Sequence, residues 1–416
     1  MKYILHTSLL TITLLFTGCL GLDEPDNENA LGGTIVVDMD GASVKQSLID
    51  ANMPGVSEES TVYGYRAYKI PYLTTNEEGE TISASGLMVV PTGMPEIVYQ
   101  IGLSLVSDDH GTIMKDSEAP TVLAQSTNSP DGSAIIMTSL AGFVTLQPDY
   151  VGFGDSREQY HPFVLKKSLA NATIDFIYAA QKFAAENNIK LNGQLFLTGY
   201  SEGGYASLAT LQAIEAGHKF LEVTMAAPMA GPYDMNTTAF GVLSQPNISV
   251  PSFMANVGYS YATAYSQPLD SVFNEPYASE VEELMSGSYS STEVDAQLTD
   301  VTTGNYGLFS MAFINEFFNN DQQWFREAMV ENSIHNWKPT APVRFVHCEG
   351  DDVIPYSISE LTVNSMKQMG ATDVALMPVE SLLGISQKLG HSACGLYAYG
   401  LTAQMFAQIR QNTMKY

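Results

Sequence analysis

Apolar residues in this chain fall into short continuous runs that alternate with stretches of helical spacing. Apolar and polar positions alternate over residues 63–74 and 81–90, which predicts two strands joined by a turn. Further strands are predicted at residues 103–107, 142–147, 195–198, 223–227, 343–347 and 374–379. Helices are predicted at residues 169–187, 205–216 and 396–411. This alternation favours an α/β fold with a mostly parallel sheet and right-handed crossovers.

The alternation of strands and helices breaks down over residues 233–338. That stretch is rich in Ser, Asn, Tyr, Phe and Met, and its pattern is mostly helical, for example at 280–285 and 309–318. We interpret it as a cap inserted into the α/β core. The core then has a first part at residues 34–232 and a second part at residues 339–416.

A glycine-rich stretch lies between one predicted strand and one predicted helix. Residues 199–204 read G-Y-S-E-G-G, after the strand at 195–198 and before the helix at 205–216. A G-x-S-x-G turn in this context exposes its serine hydroxyl at the top of a sheet, and small neighbours let strand and helix pass closely. The alternative is an ordinary strand–helix turn with an N-cap serine. The context on both sides favours Ser201 as a nucleophile.

A serine nucleophile requires a base and an orienting acid, which in this architecture follow it in the order acid, then histidine. Asp351 comes shortly after the predicted strand at 343–347 and is the best candidate for the acid, with Asp352 and Glu349 as alternatives. His391 is the histidine that follows the last predicted strand, and every other histidine precedes Asp351. We therefore expect His391 to be the base.

An oxyanion hole requires two backbone N–H groups directed at the developing negative charge. We expect one from Glu202, which follows the nucleophile, and one from Thr112 in the H-G-T sequence after an early strand. Aromatic residues of the cap could line an acyl pocket, and ordinary packing explains them equally well: Phe240, Phe253, Tyr259, Tyr261 and Tyr265.

Composition narrows the classes of partner. The chain has 416 residues and a formal net charge of -27, with 45 acidic and 18 basic side chains. Such a surface repels phosphate backbones, which argues against a nucleic acid partner. No spacing of Cys and His is typical of a zinc site, and the sequence implies no metal or organic cofactor. The oligomeric state stays open.

The first residues have the features of an export signal. Lys2 precedes a short apolar region at residues 9–16, and residues 15–19 read L-F-T-G-C. This resembles a bacterial lipoprotein signal, in which residues 1–18 are removed and Cys19 is lipidated. Residues 19–33 would then be a flexible tether, and a residue other than aspartate after Cys19 implies the outer membrane. A plain secretory signal is the alternative.

Two further cysteines flank the candidate acid and base. Cys348 lies three residues before Asp351, and Cys394 lies three residues after His391. If the acid and base share a hydrogen bond, the two cysteines are close enough for a disulfide to be possible in an oxidising compartment. Two buried free thiols are an equally acceptable interpretation.

Taken together, these motifs resemble the α/β-hydrolase superfamily and, within it, the secretory lipase and esterase-like branch. The matching stretches are residues 86–91, 110–112, 142–156, 199–204, 332–342 and 350–355 together with His391. The resemblance implies a serine esterase or lipase that cleaves carboxylic esters through an acyl-enzyme, with Ser201, Asp351 and His391 as the triad. Cys348 departs from the family, where a glycine is common. A serine exopeptidase of the same fold and a non-catalytic surface-binding lipoprotein are the alternatives.

Overall fold

A computed structural model describes residues 32–218, 220–320 and 322–413. The proposed signal peptide, Cys19 and nearly all of the proposed tether lie outside these residues. Within them, nine strands form one sheet in the order β1-β2-β3-β5-β4-β6-β7-β8-β9. The strands are β1 (Thr34–Met39), β2 (Gly64–Thr75), β3 (Thr81–Thr92), β4 (Leu103–Asp109), β5 (Val144–Pro148), β6 (Leu191–Tyr200), β7 (Val223–Met229), β8 (Val343–His347) and β9 (Val374–Pro378).

Most neighbouring strands of this sheet run parallel. The three N-terminal strands pair antiparallel with one another, and β3 pairs antiparallel with β5. From β5 through β4 and β6 to β9, every neighbouring pair is parallel. The prediction of a mostly parallel α/β sheet is confirmed. In the pairing of β4 with β6, Asp109 lies opposite Gly199, so the loops that follow these two strands emerge side by side.

Helices flank the sheet on both faces. They are α1 (Gly41–Asp50), α2 (Glu96–Ile101), α3 (Pro120–Thr127), α4 (Gly132–Ile135), α5 (Lys166–Glu186), α6 (Glu202–Gly217), α7 (Met235–Leu243), α8 (Pro251–Ala264), α9 (Tyr277–Leu284), α10 (Ser291–Asp295), α11 (Met311–Asn319), α12 (Trp324–Glu331), α13 (Tyr356–Gln368), α14 (Val379–Leu383) and α15 (His391–Thr413). A π-helical turn covers Ile136–Leu140, and 3-10 turns cover Asp116–Glu118, Gly154–Ser156 and Leu269–Ser271.

Side chains of the central strands alternate between two apolar layers, as the two-residue period of a strand requires. Leu105 and Leu197 pack in the layer that includes α5 and α6. Val106 and Phe196 point the other way, into the layer that includes Phe406 of α15. The sheet is therefore covered on both faces, which is the usual condition for parallel strands.

Helices α7 to α12 lie between β7 and β8 in the chain, within the interval that the sequence assigns to a cap. Aromatic rings hold several of them together. Phe317 of α11 contacts Phe240 of α7 with ring centroids 4.8 Å apart, and Phe325 of α12 with centroids 5.9 Å apart. In the part of the chain that the structure describes, no helix combines the length and apolarity that crossing a membrane requires.

Candidate active site

Ser201 lies in a strained turn between β6 and α6. Its backbone has φ 60° and ψ −119°, a conformation that residues other than glycine rarely adopt. A Cβ atom on Gly203 would overlap the carbonyl oxygen of Asp109, and one on Gly204 would overlap that of Met229. The Ser201 N–H donates to the Met229 carbonyl oxygen at 2.9 Å. The two glycines therefore let the start of α6 pack closely against β4 and β7, and the serine is held at the carboxyl end of β6.

A continuous chain of hydrogen bonds joins Ser201, His391 and Asp351. The Ser201 Oγ lies 2.9 Å from His391 Nε2, and His391 Nδ1 lies 2.6 Å from Asp351 Oδ2. Because a carboxylate only accepts, the Nδ1 proton belongs to His391, which leaves Nε2 able to accept the serine proton. The geometry therefore permits general-base activation of the hydroxyl.

The Asp351 carboxylate is held by donors on both oxygens. Oδ1 accepts from the N–H groups of Val353 and Ile354 at 2.9 and 2.8 Å, and Oδ2 accepts a second histidine bond, from His347 Nε2 at 3.2 Å. Burial opposes ionisation of Asp351, but the hydrogen bonds and charges of His347 and His391 outweigh it and lower the pKa of Asp351. Nothing in the sequence pattern marks this second histidine contact of Asp351.

The two alternative acids contact other groups. Asp352 Oδ1 accepts from the backbone N–H of His391 at 2.9 Å. Glu349 Oε2 accepts from the Ser381 hydroxyl and the Lys388 ammonium, each at 3.0 Å. Of the three candidate acids, Asp351 is therefore the one that the structure brings to the imidazole of His391.

Tyr200 ties the serine turn to the histidine. Its hydroxyl donates to the carbonyl oxygen of His391 at 2.7 Å, and the two ring centroids are 5.0 Å apart. Tyr200 immediately precedes Ser201, so one short segment carries the proposed nucleophile and a contact that fixes the proposed base. Nothing local in the sequence marks this bond, which spans 191 positions.

The loop after β4 passes over the serine turn. A Cβ atom on Gly111 would lie 3.0 Å from the Tyr200 carbonyl oxygen and 3.8 Å from the Ser201 Cβ. Thr112 lines the same cavity as Ser201 and Glu202. The Tyr150 hydroxyl donates to the His110 carbonyl oxygen at 3.2 Å and so fixes the start of this loop. The two residues whose N–H groups are the predicted oxyanion donors, Thr112 and Glu202, thus line one cavity together with Ser201.

A cavity of about 470 Å³ opens at Ser201 between the sheet and the helices that follow β7. Much of its wall is apolar, with Val242, Phe253, Val257, Met329, Ile354 and Ile358 among its residues. Among the described lining residues, Glu202 is the one with an acidic or basic side chain. The site therefore suits an uncharged, largely apolar ligand group.

Of the five cap aromatics considered above, Phe253 lines this cavity. Two of the others have polar partners elsewhere. The Tyr261 hydroxyl donates to the Val164 carbonyl oxygen at 3.0 Å, and the Tyr265 hydroxyl donates to Glu331 at 2.8 Å. Phe240 packs against neighbouring helices, as described above. Contacts within the protein therefore account for the positions of Phe240, Tyr261 and Tyr265.

Cys348 and Cys394 are joined by a disulfide, with Cα atoms 5.9 Å apart. Cys348 directly follows β8, and Cys394 lies in the first turn of α15. The bond therefore links the loop that carries Asp351 to the helix that begins with His391.

Comparison with known proteins identifies similar sequences and folds. The model of a family described as secretory lipase matches residues 117–382, more than half of the chain. A putative hydrolase from Legionella pneumophila has a similar structure, with TM-score 0.83 and 24% identity over 94% of this chain and 100% of that chain. The rice cell wall degrading esterase LipA from Xanthomonas oryzae has TM-score 0.77 and 24% identity, covering 94% and 99%. Candida antarctica lipase A in its closed state has TM-score 0.63 and 14% identity, covering 93% and 83%. No curated protein matches the chain.

Proposed function

Because this chain belongs to the secretory lipase family and is a carboxylic ester hydrolase, we propose that Ser201, His391 and Asp351 are its catalytic triad and act through an acyl-enzyme. The observation that carries the proposal is the hydrogen-bonded path from Ser201 Oγ through the His391 imidazole to the Asp351 carboxylate, with distances of 2.9 and 2.6 Å.

In the proposed reaction, His391 Nε2 takes the Ser201 proton as the serine oxygen attacks the ester carbonyl carbon. The N–H groups of Glu202 and Thr112 stabilise the oxyanion that forms. His391 then protonates the alcohol as it leaves, and the serine keeps the acyl group. Water that gives a proton to His391 attacks the acyl-enzyme, and as the acid is freed His391 returns that proton to the Ser201 oxygen. Asp351 holds the His391 tautomer and stabilises the imidazolium in both steps.

We propose that the substrate's acyl group is uncharged and apolar. The cavity at Ser201 has an apolar lining, and the Glu202 side chain is directed to His161 rather than left available to a ligand. A serine exopeptidase that binds a free amino or carboxyl terminus would require an unpaired charge there, and the described lining residues include none. The hypothesis of ester hydrolysis is therefore favoured over that of exopeptidase activity.

A matched pair of substrates tests this proposal. We expect turnover of p-nitrophenyl esters, rising with acyl length until the chain exceeds the cavity, and little turnover of aminoacyl anilides. Faster cleavage of the anilides would favour the exopeptidase. Failure to cleave either class, with the fold intact, would favour a non-catalytic binding protein. A Ser201→Ala variant is the control for background hydrolysis.

We also propose that the protein is exported and anchored through a lipid on Cys19, and that residues 233–338 form a cap over the cavity. The family's description as secretory supports export. Growth with labelled palmitate should label the protein, and Cys19→Ser should abolish that label. A secreted product without an acyl group would instead indicate an ordinary secretory signal.

A further inference from the structure

A buried acid–base pair includes Glu202, the residue that follows the proposed nucleophile. Glu202 Oε1 is 2.9 Å from His161 Nε2, and the two side chains are 1% and 6% exposed. The second carboxylate oxygen, Oε2, is buried without a hydrogen-bond partner among the described residues. The proposed mechanism uses the backbone N–H of Glu202 but assigns no role to its side chain.

The hydrogen bonds of His161 determine the net charge of this pair. His161 Nδ1 lies 2.9 Å from the Val151 carbonyl oxygen, which only accepts, so Nδ1 carries a proton. A second proton must lie between His161 Nε2 and Glu202 Oε1 for those atoms to bond. Whichever atom holds it, the pair is an imidazolium with a carboxylate or an imidazole with a carboxylic acid. In both cases its net charge is zero.

Other titratable groups lie near this pair, but among the described residues His161 alone hydrogen-bonds to the Glu202 carboxylate. His110 has a carbonyl oxygen beside each ring nitrogen, that of Gly111 at 2.8 Å from Nδ1 and that of Asp149 at 3.3 Å from Nε2, and burial lowers its pKa. Burial raises the pKa of Tyr150 and of Tyr205, which keeps both phenols neutral, and it also raises the pKa of Asp109. The 2.9 Å contact with His161 is therefore the interaction through which the Glu202 carboxylate can share a proton.

We propose that His161 is a positioning residue that neutralises the Glu202 side chain, so that the oxyanion forms beside a neutral pair and not beside a bare carboxylate. The inference rests on the proposed function, because the oxyanion is bound by the backbone of the same residue that carries this carboxylate. An unpaired negative charge on this buried side chain, in the residue whose N–H binds the oxyanion, would oppose the transition state far more than the neutral ground state. Loss of His161 as the partner of Glu202 should therefore lower kcat with little change in KM.

Two substitutions of His161 separate charge from structure. In His161→Asn the side-chain amide can still donate to Val151, but Glu202 loses its partner. In His161→Gln the longer amide can still donate to Glu202, without a positive charge. We expect His161→Asn to lower kcat about 100-fold, comparable to the loss of one oxyanion donor, and His161→Gln to lower it less. His218→Gln, at the far end of α6, is the control.

The decisive measurement is the cost of His161→Asn in a Glu202→Gln background, where no carboxylate remains to be neutralised. We expect that cost to fall to less than about 5-fold, and the double variant to turn over faster than His161→Asn alone. The affinity for a trifluoromethyl ketone, which forms an oxyanion on the serine, should follow kcat across the series.

The proposal is overturned if His161→Asn lowers kcat by the same factor in the wild-type and Glu202→Gln backgrounds. It is also overturned if His161→Asn raises KM by the same factor by which it lowers kcat. If His161→Asn does not fold, the same comparison is made with His161→Gln. A fluorophosphonate probe distinguishes this failure from failure of the triad assignment. Labelling of Ser201 in the wild type together with equal costs rejects only the role of His161, whereas no labelling of Ser201 rejects the triad itself.

Discussion

Asp352 Oδ1 accepts a hydrogen bond from the backbone N–H of His391 at 2.9 Å. His391 is the first residue of α15, so a carboxylate from 39 positions earlier lies at the N-terminus of that helix, where free N–H groups and the helix dipole favour negative charge. Its neighbour Asp351 binds the His391 imidazole. Adjacent acids thus fix the backbone and the ring of one histidine.

This division of roles predicts different effects of two conservative substitutions. Asp351→Asn should lower kcat about 10⁴-fold, because an amide no longer fixes the productive tautomer of His391. Asp352→Asn keeps an oxygen that can accept from the His391 N–H and should cost less than about tenfold. Steady-state kinetics with one p-nitrophenyl ester measures both. A larger loss in Asp352→Asn would transfer the acid's role to Asp352.

The bond between Tyr200 and His391 gives a second prediction. Tyr200→Phe keeps the ring beside His391 but removes the hydroxyl that donates to its carbonyl oxygen at 2.7 Å. Losing one neutral hydrogen bond costs about 1 kcal/mol, so we expect kcat to fall about 3- to 10-fold with the protein still folded. Rates identical to wild type over several esters would show that this bond does not position the base.

The disulfide between Cys348 and Cys394 is predicted to stabilise the second part of the core. It closes a loop of 46 residues, worth about 4 kcal/mol on the chain-entropy model. Replacing both cysteines with serine should lower the free energy of unfolding by about that amount and make it insensitive to reductant. Thiol titration of the denatured, unreduced mature protein should find no thiol from this pair, whereas two free thiols would contradict the bridge.

Asp175 in α5 links stability to pH. Burial raises the pKa of Asp175 to about 6, so the folded protein holds a proton there that the unfolded chain releases near pH 4. Asp175 makes its full contribution to the free energy of unfolding below about pH 4, and that contribution is lost as the pH rises through about 6. Asp175→Asn should therefore become more stable relative to wild type, by about 1–3 kcal/mol, between pH 4 and 7.

Chemical denaturation at several pH values measures this difference. Asp270→Asn, at an exposed position between α8 and α9, is the matched control and should show a constant offset from wild type. A constant offset for Asp175→Asn as well would contradict the linkage.

Sequence reasoning worked best where the signal is local. The apolar runs located the central strands, and the G-x-S-x-G context located the turn at Ser201, because both depend on residues adjacent in the chain. The last helix was predicted to begin at residue 396 but begins at His391. The carboxylate at its N-terminus comes from Asp352, so no cap signal lies within the local sequence.

Contacts between distant segments were not predictable. His161 and Glu202 are 41 positions apart, and neither the spacing nor the residue types mark them as partners. His347 was missed as a partner of Asp351 although only four positions separate them, because its side-chain direction depends on the packing of β8. The sequence pattern also did not predict strand β1 and helices α1, α2 and α13. Their sequences are short or polar, and packing against the rest of the fold determines their conformation.

The central claim is that Ser201 forms the covalent intermediate, and a fluorophosphonate probe followed by peptide mass spectrometry tests it directly. We predict one phosphonyl group per chain, on Ser201, and no labelling of Ser201→Ala, whose kcat for p-nitrophenyl esters should be lower by about 10⁴- to 10⁶-fold. Labelling that persists in Ser201→Ala, or ester hydrolysis at wild-type rates without Ser201, would contradict the account.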